Sequence, residues 1–439
     1  MAEVCVIGAG SSGIAAAQVL QARGIDFDCY EAGSQVGGNW RYLNDNGMSS
    51  AYRSLHINTS TRQMRYASYP MPPGLPAYPD HFQIARYFDD FVAHFGLRDK
   101  IAFRTEVTAV VPRDGGHDVT VRELPDGQER TPRYRSVIVA NGHHWDPREP
   151  EFPGEFTGER VHSHYYKTFE PYVGKRVVVL GIGNSACDIA VELSRVADRT
   201  FLAMRRSAHV LPKFLFGIPT DHLTTSPLAR GPLWLQRLSM RAMLALTQGS
   251  VTRYGLPEPD HQVLAAHPTV SDDILTRIGH GDIAVKPNIA RFDGSSVVFT
   301  DDSREEVDAV IYCTGYRISF PFLTDDVLAT ADNEVALYHR VVPVDRPGLY
   351  FLGLIQPLGA IMPLAEAQAH WIADLIEGTA TLPTAAEMRR EIHRYRERMR
   401  RRYVASKRHT IEVDFQEYLA DLKRLRRMLP SSNSTGAGS

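Results

Sequence analysis

The chain has few cysteines, and none of them lie close together. Its four cysteines, Cys5, Cys29, Cys187 and Cys313, are scattered through 439 residues, and no CxxC or CxxH pair occurs. A redox dithiol and a zinc site both need ligands at such short spacing, so we predict buried free thiols and no metal site. Unpaired cysteines are typical of a reducing compartment, which predicts a cytoplasmic protein.

The sequence also lacks the marks of a membrane or nucleic-acid partner. No apolar run approaches the roughly 20 residues that span a bilayer, and no basic leader with a cleavage site precedes the first apolar residues at Val4. Lys plus Arg (49) nearly balance Asp plus Glu (51), so no overall field attracts polyanions. In Arg389–Arg408, Glu391 and Glu397 alternate with arginines, which predicts a solvated, ion-paired helix.

What the sequence does contain is a glycine-rich turn after its first apolar strand. Gly8, Gly10 and Gly13 have the spacing of a dinucleotide-binding turn that opens a helix. The first glycine permits a tight bend, the second admits a pyrophosphate, and the third lets the helix pack on the strand. Ser12 lies in the same turn, where the helix N-terminus faces the phosphates.

An acidic residue and two more glycines follow this turn. The next strand ends at Glu31, about 20 residues on, where a carboxylate binds a ribose diol. Gly37 and Gly38 then indicate a second close backbone approach to the same long ligand. Trp40 belongs either to the hydrophobic core or to the wall of the cofactor site.

The chain contains a second turn of the same kind. Gly181 and Gly183 follow an apolar strand, Asn184 and Ser185 open the helix, and Ala186 replaces the third glycine, which is an accepted variant. The repetition predicts that the chain binds two dinucleotides.

The second site differs from the first in its charge. Its next strand ends in Arg205 and Arg206 instead of an acid, and guanidinium groups suit a 2′-phosphate. A solvated surface pair is the alternative interpretation of these arginines. We predict FAD at the first site and NADPH at the second, as in a flavoprotein that a nicotinamide reduces.

The order of these segments predicts an α/β fold with two Rossmann-like domains, the NADPH domain being inserted into the FAD domain. The strands Val137–Ala140 and Ala309–Arg317 bracket the second turn. After a later strand, the sequence predicts a turn at Gln356–Gly359 and a helix from about Ile361. The N-terminus of this helix is expected to point at the flavin, which makes Gln356 a further candidate for cofactor binding. The predicted parts are FAD domain 1–166, NADPH domain with a helical insertion 167–285, FAD domain and C-terminal helices 286–430, and disordered tail 431–439.

Several segments resemble the flavin-containing monooxygenase family. In "FTGERVHSHYY", Phe156, Gly158, His162 and Tyr166 match that family's FxGxxxHxxxY fingerprint. "EAGSQVGGNW", "VANGHHWDP", "GIGNSACDIA" and "YCTGYRISFPFL" look like its recurring segments, in the same order. The resemblance extends from residue 3 to residue 425.

The resemblance implies class B chemistry, in which NADPH reduces FAD, O2 adds at flavin C4a and oxidised NADP stays bound. The expected reaction is oxygenation of nitrogen or sulfur in soft nucleophiles: amines, sulfides and, as a further candidate, indole. "SLHINTSTRQMRYASYPMP" is similar to the family's flavin-proximal segment, which places Asn58 on the asparagine kept beside flavin and nicotinamide. Asn58 is therefore the catalytic candidate, whereas His162 is expected to be a hydrogen-bonded linker residue because the cofactor supplies the chemistry.

Some features depart from the family and leave alternatives open. Ala203 stands where many relatives carry Ser or Thr against the 2′-phosphate, and no hydrophobic C-terminal anchor follows, which suggests a shorter soluble form. Baeyer–Villiger oxygenation of ketones is the alternative reaction, but its longer fingerprint ends in Trp plus Pro or Asp, where this chain has Tyr166 and Lys167. Dithiol–disulfide reduction lacks its cysteine pair, and a redox-sensing module would bind flavin without consuming NADPH. A homodimer is compatible with the sequence.

Overall fold

The computed structural model describes residues 2–125, 127–225, 231–266, 268–402 and 410–427. The tail 431–439, for which we predicted disorder, lies outside these residues. The described ranges contain eight α-helices. They are Ser11–Ala22, His81–His94, Asn184–Leu193, Leu233–Thr247, Ile274–Gly279, Met362–Ile376, Ala385–Arg402 and Phe415–Leu425.

The first sheet has five parallel strands and carries the first glycine turn. In spatial order they are Leu349–Phe351, Ser136–Val139, Val4–Ile7, Phe27–Tyr30 and Ile101–Ala102. All four residues of the central strand Val4–Ile7 are buried, as in a parallel sheet covered on both faces. Val4 and Val6 pack with the helices Ser11–Ala22 and Met362–Ile376, whereas Cys5 and Ile7 face a second core.

The second sheet repeats this construction around the second turn. Its five parallel strands are Glu159–His162, Ala309–Tyr312, Arg176–Leu180, Arg199–Met204 and Ile283–Pro287. The middle strand again leads into the glycine turn, and the helix Asn184–Leu193 packs beside it. Two such sheets confirm the predicted α/β class with two Rossmann-like units.

The sequence range of the second sheet differs from the predicted 167–285. Glu159–His162 lies before this range and Ala309–Tyr312 lies after it, yet the two strands pair with each other. Such short strands, separated by nearly the whole unit, pair only through the tertiary structure, and their sequence pattern does not say which sheet they join. The limits of 167 and 285 are therefore too narrow for this sheet.

The remaining strands are mostly antiparallel and peripheral. A four-stranded sheet contains Thr105–Arg113, Gly116–Glu123, Glu129–Arg130 and Arg133–Tyr134. A three-stranded sheet contains Ile289–Asp293, Ser296–Phe299 and Arg304–Glu306. The two-stranded pairs are Val210–Leu211 with Thr269–Val270, Phe214–Leu215 with Ile218–Pro219, Asp146–Pro147 with Tyr316–Arg317, Leu337–Tyr338 with Val342–Pro343, and Gln356–Pro357 with Glu412–Val413.

Two helices pack differently from what their sequence patterns suggest. In Leu233–Thr247, which has an apolar pattern, Leu244 is buried while Trp234 and Leu246 are largely exposed. In Ala385–Arg402, the arginines do form ion pairs, but with acids of other elements: Arg389 with Asp345, Arg398 with Glu417, Arg402 with Asp414, and Arg400 with Glu334.

Cys5, Cys29 and Cys187 are buried free thiols, as predicted, whereas Cys313 is a free thiol that is only half-buried. Among the described residues, no helix is long and apolar enough to cross a membrane, and no group of three or more His, Cys, Asp or Glu side chains is arranged to hold a metal ion.

Candidate active site

Glycine occupies the three positions of the first turn for different structural reasons. Gly8 has φ +95°, and a Cβ there would lie 2.8 Å from the Ala140 carbonyl oxygen. A Cβ at Gly13 would lie 1.8 Å from the Gly8 oxygen, so the fold excludes any side chain there. At Gly10 a Cβ would meet only Gly38, at 3.7 Å, so the protein itself has room at that position. The small residue at Gly10 therefore leaves space for a ligand at the helix N-terminus.

The Glu31 side chain forms hydrogen bonds to the backbone of the first turn and of the loop that follows Glu31. Its Oε2 accepts a hydrogen bond from the Ala9 N–H (2.7 Å), and its Oε1 accepts from the Gly33 N–H (2.8 Å) and from Asn46 Nδ2 (3.1 Å). The side chain is buried, which raises the pKa of the carboxyl group. A carboxylate has about four acceptor positions, so Oε2 can still accept from a ribose hydroxyl. Sequence reasoning missed Asn46, since a loop asparagine carries no distinguishing signal.

The loop after Glu31 packs directly against the first turn. The Gly37 N–H donates to the Ala9 carbonyl at 3.0 Å, and a Cβ on Gly38 would lie 3.1 Å from the Gly10 Cα. Trp40 is half-buried and packs against the core of the first sheet. The two glycine loops thus lie against each other at one place.

The returning chain completes this edge of the first sheet. Gly353 has φ +74°, which favours glycine, and a Cβ there would lie 3.0 Å from the Ser12 Cβ and would force the Ser12 Oγ to move. The Gly353 N–H donates to the buried Gln368 side chain at 2.9 Å, a contact that sequence reasoning missed. Gln356 follows on this segment, and its N–H donates to the Ile411 carbonyl at 2.9 Å. The helix Met362–Ile376 then begins as expected.

The second turn is built on the same plan. Gly181 has φ +139°, and a Cβ there would lie 2.7 Å from the Cys313 carbonyl oxygen. Gly183 caps the helix that begins at Asn184 and continues through Ser185. The Asn184 Oδ1 accepts from the Val270 N–H at 2.8 Å, which connects the second turn to the strand Thr269–Val270. The amide nitrogen of Asn184 is the part of this side chain still open to a ligand.

Arg205 and Arg206 are both exposed at the end of the adjacent strand. Arg206 Nε lies 3.3 Å from a carboxylate oxygen of Asp260. Arg205 has neither an ion pair nor a hydrogen bond with any described residue. Since a carboxylate beside Arg206 opposes an incoming phosphate, Arg205 is the better placed of the two for a 2′-phosphate.

A segment from residue 51 to residue 69 connects the two turns. The Tyr52 hydroxyl donates to Asp188 Oδ2 in the helix Asn184–Leu193 at 2.6 Å, and the Tyr66 hydroxyl donates to the Ser11 carbonyl at the first turn at 2.6 Å. Asn58 lies between these anchors, and its Oδ1 is buried without a hydrogen-bond partner among the described residues. An unpartnered buried amide oxygen costs free energy unless a ligand donor reaches it.

His162 has the contacts of a structural residue. It is fully buried, and its Nδ1 accepts the His164 N–H at 3.1 Å. Burial lowers the pKa of His162 to about 4, so near pH 7 the imidazole is neutral and is not a cationic acid. These contacts agree with the linker role expected from the sequence.

Comparison with known proteins defines the class to which this site belongs. The family model described as "FMO-like: Flavin-binding monooxygenase-like" matches residues 1–433. The two glycine turns, the buried Glu31 and the connecting segment therefore lie within a single family match. The chain belongs to the flavin-binding monooxygenase family, and it is an NADPH-dependent flavoprotein monooxygenase with FAD and NADPH as cofactors.

Particular relatives cover nearly the whole chain. Human flavin-containing monooxygenase 5 is 38% identical over 445 residues, covering 96% of this chain and 83% of the relative. Rat dimethylaniline monooxygenase [N-oxide-forming] 2 is 34% identical over 444 residues, covering 96% and 82%. The structure of S-allyl-L-cysteine S-oxygenase from Allium sativum superimposes with a TM-score of 0.73 at 26% identity, covering 97% of this chain and 88% of that one.

Proposed function

We propose that the protein transfers one oxygen atom from O2 to nitrogen or sulfur of soft nucleophiles: amines, sulfides and, as a further candidate, indole. The observation that carries this proposal is the buried amide oxygen of Asn58, which has no hydrogen-bond partner among the described residues and lies in a segment bonded to Ser11 at the first turn and to Asp188 in the helix Asn184–Leu193. The relatives named for N-oxide formation and for S-oxygenation support it.

The proposed cofactor residues fall into two groups at the edges of the two sheets. FAD, when bound, supplies the redox and oxygen-activating chemistry, and the chain binds and orients it. For the first site we propose Gly8, Gly10, Ser12, Gly13, Glu31, Gly38, Trp40 and Gln356. For the second site we propose Gly181, Gly183, Asn184, Ser185, Arg205 and Arg206.

Asn58 would act on both cofactors without titrating. An amide donates and accepts hydrogen bonds at once, so it can hold a ligand donor at Oδ1 and a ligand acceptor at Nδ2. An acid at the same place would deliver protons and favour the loss of activated oxygen as hydrogen peroxide. The neutral side chain therefore suits a site from which stray proton transfer must be excluded.

The compartment, the domain limits and the partners of the protein are further parts of the proposal. Three buried free thiols are compatible with the cytoplasm. We propose an FAD unit made from both chain ends and an inserted NADPH unit, with limits widened to include the strands Glu159–His162 and Ala309–Tyr312. We also propose that the protein requires neither a nucleic acid nor a membrane, and a homodimer stays compatible with the sequence.

A panel of substrates tests the proposed reaction. NADPH oxidation, oxygenated product and hydrogen peroxide are measured with trimethylamine, a thioether, indole and a cyclic ketone. We expect an N-oxide and a sulfoxide formed in step with NADPH. Lactone as the main product would instead establish Baeyer–Villiger oxygenation, for which cyclohexanone monooxygenase offers a shared fold (TM-score 0.71, 16% identity). Firm flavin binding with no NADPH oxidation would establish the redox-sensing alternative.

A further inference from the structure

Lys167 directly follows the fingerprint tyrosine, and its ammonium group has an unusual environment. Its Nζ donates to three backbone carbonyls: Ser49 (2.7 Å), His164 (2.8 Å) and Ala51 (3.4 Å). A lysine ammonium has three N–H donors, so every donor is used. Lys167 thereby joins the fingerprint turn to the start of the segment that carries Asn58.

These three carbonyls depend on Lys167. Within the described ranges, no other donor reaches the oxygens of Ser49, Ala51 or His164, and no carboxylate lies within 4 Å of the ammonium. An ordinary surface lysine would face water or pair with an acid. This one gives its donors only to the backbone, which is the contact pattern of a clamp.

The backbone of Lys167 makes the same connection. Its carbonyl oxygen accepts from the Arg53 N–H at 2.8 Å and from the Tyr42 hydroxyl at 3.3 Å. Ala51 and Arg53 flank Tyr52, whose hydroxyl donates to Asp188 in the helix Asn184–Leu193. Three of the five hydrogen bonds of Lys167 therefore join it to residues 49–53, just before Asn58.

We propose that Lys167 is a positioning residue that holds the segment of Asn58 in register between the two cofactor sites and so keeps oxygen transfer coupled to NADPH oxidation. This inference rests on the function proposed above. It concerns how Asn58 is held, not which substrate is oxygenated.

The charge of the clamp varies within an accessible pH range. Burial lowers the pKa of Lys167 to about 8. Of its titratable neighbours, His164 has a pKa lowered by burial and Tyr52 has one raised well above its usual range by burial. Tyr42 and the exposed Arg53 are the other titratable or charged residues bonded to Lys167. A neutral amine has only two N–H donors for three carbonyls. The clamp should therefore loosen as the pH rises through about 8.

The test compares the wild type with Lys167→Met and Lys167→Arg, by the ratio of hydrogen peroxide to oxygenated thioether between about pH 7 and about pH 9.5. In the wild type we expect the ratio to rise with a midpoint near pH 8. In Lys167→Met it should be several-fold higher at pH 7 and flat, because no ammonium is present. In Lys167→Arg it should be flat and nearer the wild-type value at pH 7, because guanidinium stays charged.

A matched control is Lys175→Met, which removes a lysine of the same unit that pairs with Glu159 at 3.3 Å. This variant should keep the wild-type profile. The inference is overturned if Lys167→Met couples as well as the wild type, or if either Lys167 variant keeps a rise near pH 8. Flavin content and far-UV circular dichroism establish that each variant is folded.

A thermal measurement separates this inference from the proposed function. The pKa of Lys167 is lower in the folded protein than the ordinary value of about 10.4, so the unfolded chain binds more protons between these values. The melting temperature of the wild type relative to Lys167→Met should therefore rise from about pH 8 to about pH 10. No such rise would overturn the assigned environment of Lys167, whereas absence of product from every substrate in the wild type would overturn only the function.

Discussion

At the scale of single residues, the two turns contain glycines of two kinds. Gly8, Gly13 and Gly181 are required by the chain itself, because a Cβ at each would meet a backbone oxygen within 3 Å. Gly10 has no such neighbour. Since the packing of the protein does not require glycine at position 10, we propose that the space there is used by a ligand.

The amide of Asn58 gives the sharpest prediction at this scale. Asn58→Ala should keep FAD and still consume NADPH and O2, but the oxygen should leave mainly as hydrogen peroxide with little product. The reason is that alanine removes both hydrogen-bonding groups and leaves the cofactor donor without an acceptor. The adjacent Thr59→Ala serves as the control. If Asn58→Ala formed as much product per NADPH as the wild type, Asn58 would be an ordinary loop residue with no catalytic role.

Arg205 should determine the preference for NADPH. A hydrogen bond to a charged group contributes about 1.5–3 kcal/mol, so Arg205→Ala should raise the KM for NADPH roughly tenfold to a hundredfold. The KM for NADH should barely change. Arg206→Ala should have the smaller effect, since Asp260 already pairs with that guanidinium. Equal losses with both nucleotides in Arg205→Ala would indicate damage to the fold instead.

At the scale of elements, residues 51–69 depend on contacts with their neighbours. This segment contains no helix or regular strand, and tyrosine hydroxyls anchor it to the first turn and to the helix Asn184–Leu193. The helix Met362–Ile376 adds a third anchor, because Glu366 accepts the N–H groups of Ala67 and Ser68. Rigid helices thus hold a segment that has little regular structure of its own.

Tyr52→Phe should weaken this arrangement. It leaves the Asp188 carboxylate without its hydroxyl donor at 2.6 Å, and burial already raises the pKa of Asp188. We expect a loss of about 1–3 kcal/mol in the free energy of unfolding, seen as a lower melting temperature at fixed scan rate. Tyr165→Phe, on a 58% exposed side chain, should leave the melting temperature unchanged. Equal stability of the two variants would show that the bond to Asp188 contributes nothing.

At the scale of the whole molecule, ligand binding should stabilise the fold by mass action. Added FAD at 100 times its dissociation constant should contribute about 2.7 kcal/mol and raise the melting temperature of the flavin-free protein. Gly10→Val should fold, because the protein has room at that position, but should lose the 450 nm flavin band and the thermal response to FAD. Gly13→Ala should destabilise the protein even without FAD, since its Cβ would lie 1.8 Å from the Gly8 oxygen. Full flavin occupancy in Gly10→Val would contradict the assignment of the first site.

The sequence by itself determined the two turns, the acid at Glu31, the basic pair after the second turn and the α/β class. These are local patterns, in which a glycine or charged residue has its meaning within a few positions of a strand or helix end. Only the tertiary structure decided which sheet receives Glu159–His162 and Ala309–Tyr312, which acids pair with the arginines of Ala385–Arg402, and that Lys167 gives its three donors to the backbone. Those contacts join residues far apart in the chain, and long-range pairing leaves no local pattern in the sequence from which it could be predicted.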